Sequence, residues 1–120
     1  ILSLSKRIIA KMERIKKISD AQFFNTMGML LNAVLALIEQ KQPNFAVAEY
    51  KLIDRIYISE DFASLILRKK FYYLIIKFLE SMDEGNLDMY FKVLNYLGLE
   101  KTSFESQQDL KQIKQIYNIA

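Results

Sequence analysis

The stretch EQKQPNFAVAEY, Glu39–Tyr50, and the stretch SMDEGNLDMYFK, Ser81–Lys92, share one layout. Each has a polar turn, an asparagine, a large apolar residue and then a helix-like pattern. Asn44 and Asn86 stand 42 residues apart. A gap-free shift of 42 places Phe23 on Leu65, Met29 on Phe71, Ala33 on Ile75 and Val34 on Ile76. It also places Phe45 on Leu87, Val47 on Met89 and Leu52 on Leu94. Apolar positions and turns keep register through both helices of each pair, while identities are few. The chain therefore reads as two stacked helix–turn–helix units with one helix before them and one after. This is the logic of an all-α, tetratricopeptide-like alpha-alpha superhelix of about six antiparallel helices in stacked pairs. The competing architecture is an irregular helical bundle.

Composition agrees. The 120 residues suit one helical-repeat domain, residues 1–120, and 52% of them are apolar. Three glycines and one proline leave little punctuation for many short strands. The sequence has no cysteine, which excludes a disulfide framework, and no histidine. The commonest general base and metal ligand are thus missing. Only carboxylate or lysine chemistry is left. The adjacent acidic pairs Glu60-Asp61 and Asp83-Glu84 both fall at helix ends, where the helix dipole accounts for the first of them. No glycine-rich phosphate loop or metal-ligand spacing occurs. The expectation is a protein that is not an enzyme and has no cofactor, no metal and no catalytic residues.

The net charge of +3 is uneven. Residues 1–20 carry Lys6, Arg7, Lys11, Arg14, Lys16 and Lys17 against Glu13 and Asp20, while the other 100 residues carry a net charge of −1. A basic face opposite an apolar stripe of Leu4, Ile8, Met12 and Ile15 describes a first helix from Leu2 to Lys17. That face reads first as solvated, then as a contact for an acidic partner or second subunit, and last as a nucleic-acid contact. Leu2–Ile9 is too short, and too broken by Lys6 and Arg7, to be a secretory signal. The chain begins at Ile1 within an amphipathic pattern, which reads as a piece of a longer protein.

The remaining helices have recognisable punctuation. Ser19 and Gln22 form a capping box before a helix that reaches Gln40. Residues 21–38 carry no charge, but Gln22, Asn25, Thr26 and Asn32 argue for a core helix rather than a membrane span. Asn44 is expected to cap a third helix whose stripe is Phe45, Ala48, Leu52 and Ile56. Ser59 caps a fourth helix reaching Met82. Asn86 caps a fifth, which Gly98 ends in a left-handed stop. Thr102 and Glu105 suggest a capping box for a sixth helix, with Leu110, Ile113 and Tyr117 on its stripe.

Two segments carry a family resemblance. MLLNAVLALIEQKQPNFAVAEYKLIDRI, Met29–Ile56, has a Leu-Leu-Asn helix, a Phe-x-x-Ala restart and a Leu-x-x-Ile continuation. ISEDFASLILRKKFYYLIIKFLESMDEGNLDMYFKVLNYLG, Ile58–Gly98, has a Glu-Asp helix start, a long aromatic helix, a glycine turn and a short helix ending Leu-Gly. Together they resemble the C-terminal domain of the Rgg/GadR/MutR transcriptional regulators of low-GC Gram-positive bacteria. The resemblance implies a cytoplasmic sensor and homodimerisation module that binds a short apolar signalling peptide on its concave face. DNA would be bound only through an N-terminal helix-turn-helix domain that this chain lacks. A generic helical-repeat interaction scaffold is the alternative.

In stacked pairs the first helix lines the inner surface. Asn25, Met29, Asn32 and Ala36 form one stripe of the second helix. An asparagine amide both donates and accepts, so it can hold a peptide backbone without reading its sequence. Asn32 also occupies the family's Leu-Leu-Asn position. The matching strip of the fourth helix is Leu67, Phe71, Leu74 and Phe78, with Arg68 and Tyr72 one position away. The candidate peptide-binding residues are therefore Asn32, Asn25, Arg68, Phe71, Tyr72, Leu74 and Phe78.

Overall fold

The computed structural model describes residues 1–15 and 17–120. It is all-α, as the sequence predicts, with six α-helices and no strand among the described residues. They are α1 (Leu2–Arg14), α2 (Asp20–Glu39), α3 (Pro43–Asp54), α4 (Ala63–Ser81), α5 (Gly85–Tyr96) and α6 (Glu100–Ile116), with a 3-10 turn at Glu60–Phe62 before α4. Helix α1 ends at Arg14, short of the expected Lys17, and Lys16 lies outside the described residues. The 42-residue spacing holds at three helix boundaries: the ends of α2 and α4, the starts of α3 and α5, and the ends of α3 and α5. The chain packs as two compact units, Ile1–Lys69 and Lys70–Ala120.

In the first unit α3 folds back on α2, and α1 lies on α3. The interior holds Met27, Leu30, Leu31, Val34, Leu37 and Ile38 of α2, Ala46 and Ile53 of α3, and Leu65 of α4. Among the described residues α2 is the one helix long and apolar enough to cross a membrane, and one of its faces is buried in this unit. The stripe on α3 differs from the expected one. Phe45 is 59% exposed, and the buried positions are Ala46, Glu49 and Ile53, turned by one residue. On α1 the expected stripe holds in part: Ile8 and Met12 are half-buried, Leu4 and Ile15 are exposed, and the one fully buried side chain is Ser5.

In the second unit α5 packs on α6. Leu87, Phe91 and Leu94 of α5 and Leu110 and Ile113 of α6 are buried, together with Phe71, Tyr72, Leu74, Ile75, Ile76 and Phe78 of α4. The Phe71 ring stacks on Tyr90 with centroids 5.8 Å apart and lies 6.2 Å from Phe91. Lys114 pairs with Glu84 and places its ammonium 5.8 Å over the Phe78 ring.

Burial pushes the Tyr90 phenol up to about 12, with a hydrogen bond to Ser106 opposing and Tyr72 reinforcing the rise. Between pH 10 and about 12 the unfolded chain therefore loses this proton while the folded chain keeps it. The expected result is a loss of stability as pH rises through that window, with full stability below it. Urea midpoints measured from pH 9 upward check this. Tyr90→Phe should flatten the slope.

Helix ends follow local chemistry. Ser19 and Gln22 form the expected capping box, with Ser19 Oγ accepting the Gln22 N–H at 3.2 Å. Ser59 Oγ accepts the Asp61 N–H at 3.3 Å, starting the 3-10 turn. Gly98, at φ 79°, closes α5 as expected, with Leu99 N–H donating to Leu94 C=O at 2.8 Å. Lys41, at φ 58°, closes α2 the same way, with Gln42 N–H donating to Leu37 C=O at 2.9 Å.

Three expected caps lie inside their helices instead. Pro43 takes the first helical position, where its fixed φ and missing N–H cost nothing, so the cap is Gln42 rather than Asn44. Asp83 Oδ1 accepts the Gly85 N–H at 2.9 Å, so α5 starts one residue ahead of Asn86. The chain leaves Gly98 directly into α6, with Leu99 as its cap, and Thr102 falls within the first turn.

Candidate functional site

Helix α2 buries its apolar side and turns the Asn25, Met29, Asn32 stripe outward, with Ala36 half-buried at its end. Arg68, in the second turn of α4, donates from Nη2 to Asn32 Oδ1 at 2.6 Å. A charge-assisted bond of this length is of the strong kind. At the other end of the pair, the Phe23 and Phe62 rings meet at 5.0 Å between centroids. Residue numbers thus rise in the same direction on both helices along this contact. Within the first unit α2 and the start of α4 run parallel, as the first helices of successive repeats do.

Gly28 lies one turn before Asn32 on α2. A Cβ built there would sit 3.6 Å from Arg68 Nη1, ordinary van der Waals contact. A methyl group fits there beside the guanidinium. Gly28→Ala is therefore expected to raise stability by about 0.5–1 kcal/mol, because glycine is a poor residue in a helix interior. A urea melt checks this.

The predicted site residues separate into two groups. Asn25 and Asn32 are exposed and Arg68 is half-buried, all in the first unit. Phe71, Tyr72, Leu74 and Phe78 fall in the second unit, and each is at most 6% exposed. The expected greasy strip is thus interior packing, not a surface. Residues 71–76 of α4 are apolar without interruption, so the sequence could not say which side of that stretch faced out.

The arrangement offers groups that can recognise a polar ligand. The Asn32 amide and Arg68 guanidinium offer donors in a fixed geometry beside an exposed Met29. A guanidinium carries five N–H donors in a planar fork that matches a carboxylate or successive carbonyls. Among the described residues no three acidic side chains gather into a metal-holding cluster. Comparison of the chain with protein-family models, curated proteins and solved structures returns no match.

Proposed function

We propose that this chain is the C-terminal regulatory domain of a cytoplasmic transcription regulator like those of the Rgg/GadR/MutR family. On this reading it binds a short apolar signalling peptide and contributes to a homodimer, while DNA is bound by a separate N-terminal helix-turn-helix domain. The observation that carries the reading is the Asn32–Arg68 pair on the outward face of α2. Asn32 and Asn25 would hold the peptide backbone, Arg68 its carboxylate or a carbonyl, and Met29 an apolar side chain. The parallel run of α2 and the start of α4 lends further support, since it is the geometry in which repeats line a groove.

A second reading is a helical-repeat scaffold for a folded protein partner. It draws on α5, where Met89, Val93 and Tyr96 recur at helical spacing and are exposed, as is Leu97 at the helix's C-terminal end, Tyr96 by 90%. Thermal melts separate the two. A pool of short apolar peptides should raise the melting temperature by several degrees when present well above its dissociation constant. No rise with any short peptide, and a rise only with a folded partner, would favour the scaffold.

A further inference from the structure

A cleft of about 400 Å³ opens in the first unit where α3 ends and α4 begins. Asp54 and Arg55 line it from the end of α3, and Ile66 and Lys69 from the first two turns of α4. The last two stand three residues apart and so share one side of the helix. The connecting segment supplies the rest of the wall as Ile56, Tyr57 and Ile58. Ile56 and Ile58 are half-buried, while Tyr57 is 81% exposed. Three isoleucines and a tyrosine thus make the wall largely apolar, and a volume of this order takes a small organic ligand.

The charges of the cleft do not balance. Lys69 Nζ pairs with Asp54 Oδ1 at 2.8 Å. The Lys69 side chain is 21% exposed and that of Asp54 59%, so the cation is the more deeply held of the two. An ammonium has three N–H donors, and Asp54 is the one partner of Lys69 among the described residues. Arg55 is exposed and pairs with no acidic side chain among the described residues. The carbonyl end of α3 adds about half a negative charge. Two cations against one carboxylate and that half charge leave the cleft positive by about half a unit. Such an excess suits a monoanion better than a phosphate, which carries about −1.5 to −2. A carboxylate also matches the planar fork of a guanidinium, through two parallel N–H···O bonds.

We propose that this cleft binds a monocarboxylate on a short apolar chain. The carboxylate meets the Arg55 guanidinium and the Lys69 ammonium, and the chain packs on Ile56, Ile58 and Ile66. The inference stands on α3, α4 and the segment between them, and not on the peptide face of α2.

The test uses the 120-residue chain with n-hexanoate, n-hexanol, n-hexylammonium and acetate as probes, followed by calorimetry and thermal melts. The expected result is binding and a raised melting temperature with hexanoate alone. Arg55→Gln, at an exposed position, should weaken hexanoate binding by about tenfold. Ile66→Glu puts a competing carboxylate into the cleft and should abolish binding. If Ile66→Glu alters the circular dichroism, Arg55→Gln decides alone. Equal responses to hexanoate and hexanol, or to hexanoate and acetate, would overturn the proposal. So would preference for hexylammonium, undiminished binding to Arg55→Gln or to a folded Ile66→Glu, or no binding at all. A free acid and the carboxyl end of an apolar peptide share this chemistry. Tighter binding of acetyl-leucyl-leucine than of hexanoate assigns the peptide end as the source, and weaker binding assigns the free acid.

Discussion

Phe78→Ala is expected to cost about 3–5 kcal/mol, the usual loss for truncating a buried phenylalanine. Total stability for a domain of this size is about 5–15 kcal/mol, so the loss removes a large share of it, and all of it at the low end of that range. The side chain is 2% exposed and sits under the Lys114 ammonium, which itself pairs with Glu84. Truncation would leave a cavity and remove the ring beneath that cation. A urea titration of the variant, followed by circular dichroism, gives the number. Met29→Ala is the matched control. Met29 is 51% exposed on α2, and its truncation should change stability by no more than about 0.5 kcal/mol. If Phe78 lined a surface instead of an interior, the two variants would behave alike.

Glu49→Leu is expected to have the opposite sign. Leucine removes a buried carboxylate that has no hydrogen-bond partner among the described residues, and leaves an apolar side chain of similar reach among Ala46, Ile53 and the apolar face of α2. The buried, unsatisfied group costs about 1–3 kcal/mol, so the substitution should raise stability by that order and the melting temperature by several degrees. Most substitutions at buried positions destabilise, which makes a gain diagnostic. Glu49→Gln should gain less, because an amide still lacks partners there. A loss of stability in Glu49→Leu would mean that the carboxylate is already satisfied in the folded chain.

Much of the fold was legible because helix punctuation is local. The Ser19–Gln22 box and the left-handed Gly98 depend on residues within one turn, and both formed as read. The repeat spacing also survived, since it rests on turns and lengths. The rotation of individual helices was harder. On α3, Phe45, Ala48, Leu52 and Ile56 compose a clean apolar stripe. The true buried stripe lies one residue on and contains a glutamate, which pattern reading rejects. What decided it was packing on two sides, by α2 and by α1, which the sequence of α3 does not encode. Helix α4 posed the reverse difficulty. Residues 71–76 are apolar without interruption, so the strip read as a surface was one choice among several, and Phe71, Tyr72, Leu74 and Phe78 proved interior. The polar candidates were easier. An amide within an uncharged helix stands out, and Asn32 lies outward with Arg68 on it. Their pairing is a contact between residues 36 apart, beyond the reach of local pattern.

Calorimetric titration of one peptide against three proteins tests the central claim most directly. The peptide is the strongest binder selected from a random heptapeptide library on the intact chain. The proteins are the wild type, Asn32→Ala and Arg68→Met. Binding by the outward face of α2 predicts an apolar consensus, with affinity about tenfold or more weaker in both variants while their circular dichroism stays that of the folded wild type. Equal affinity for all three proteins, or a library that yields no binder, would contradict it.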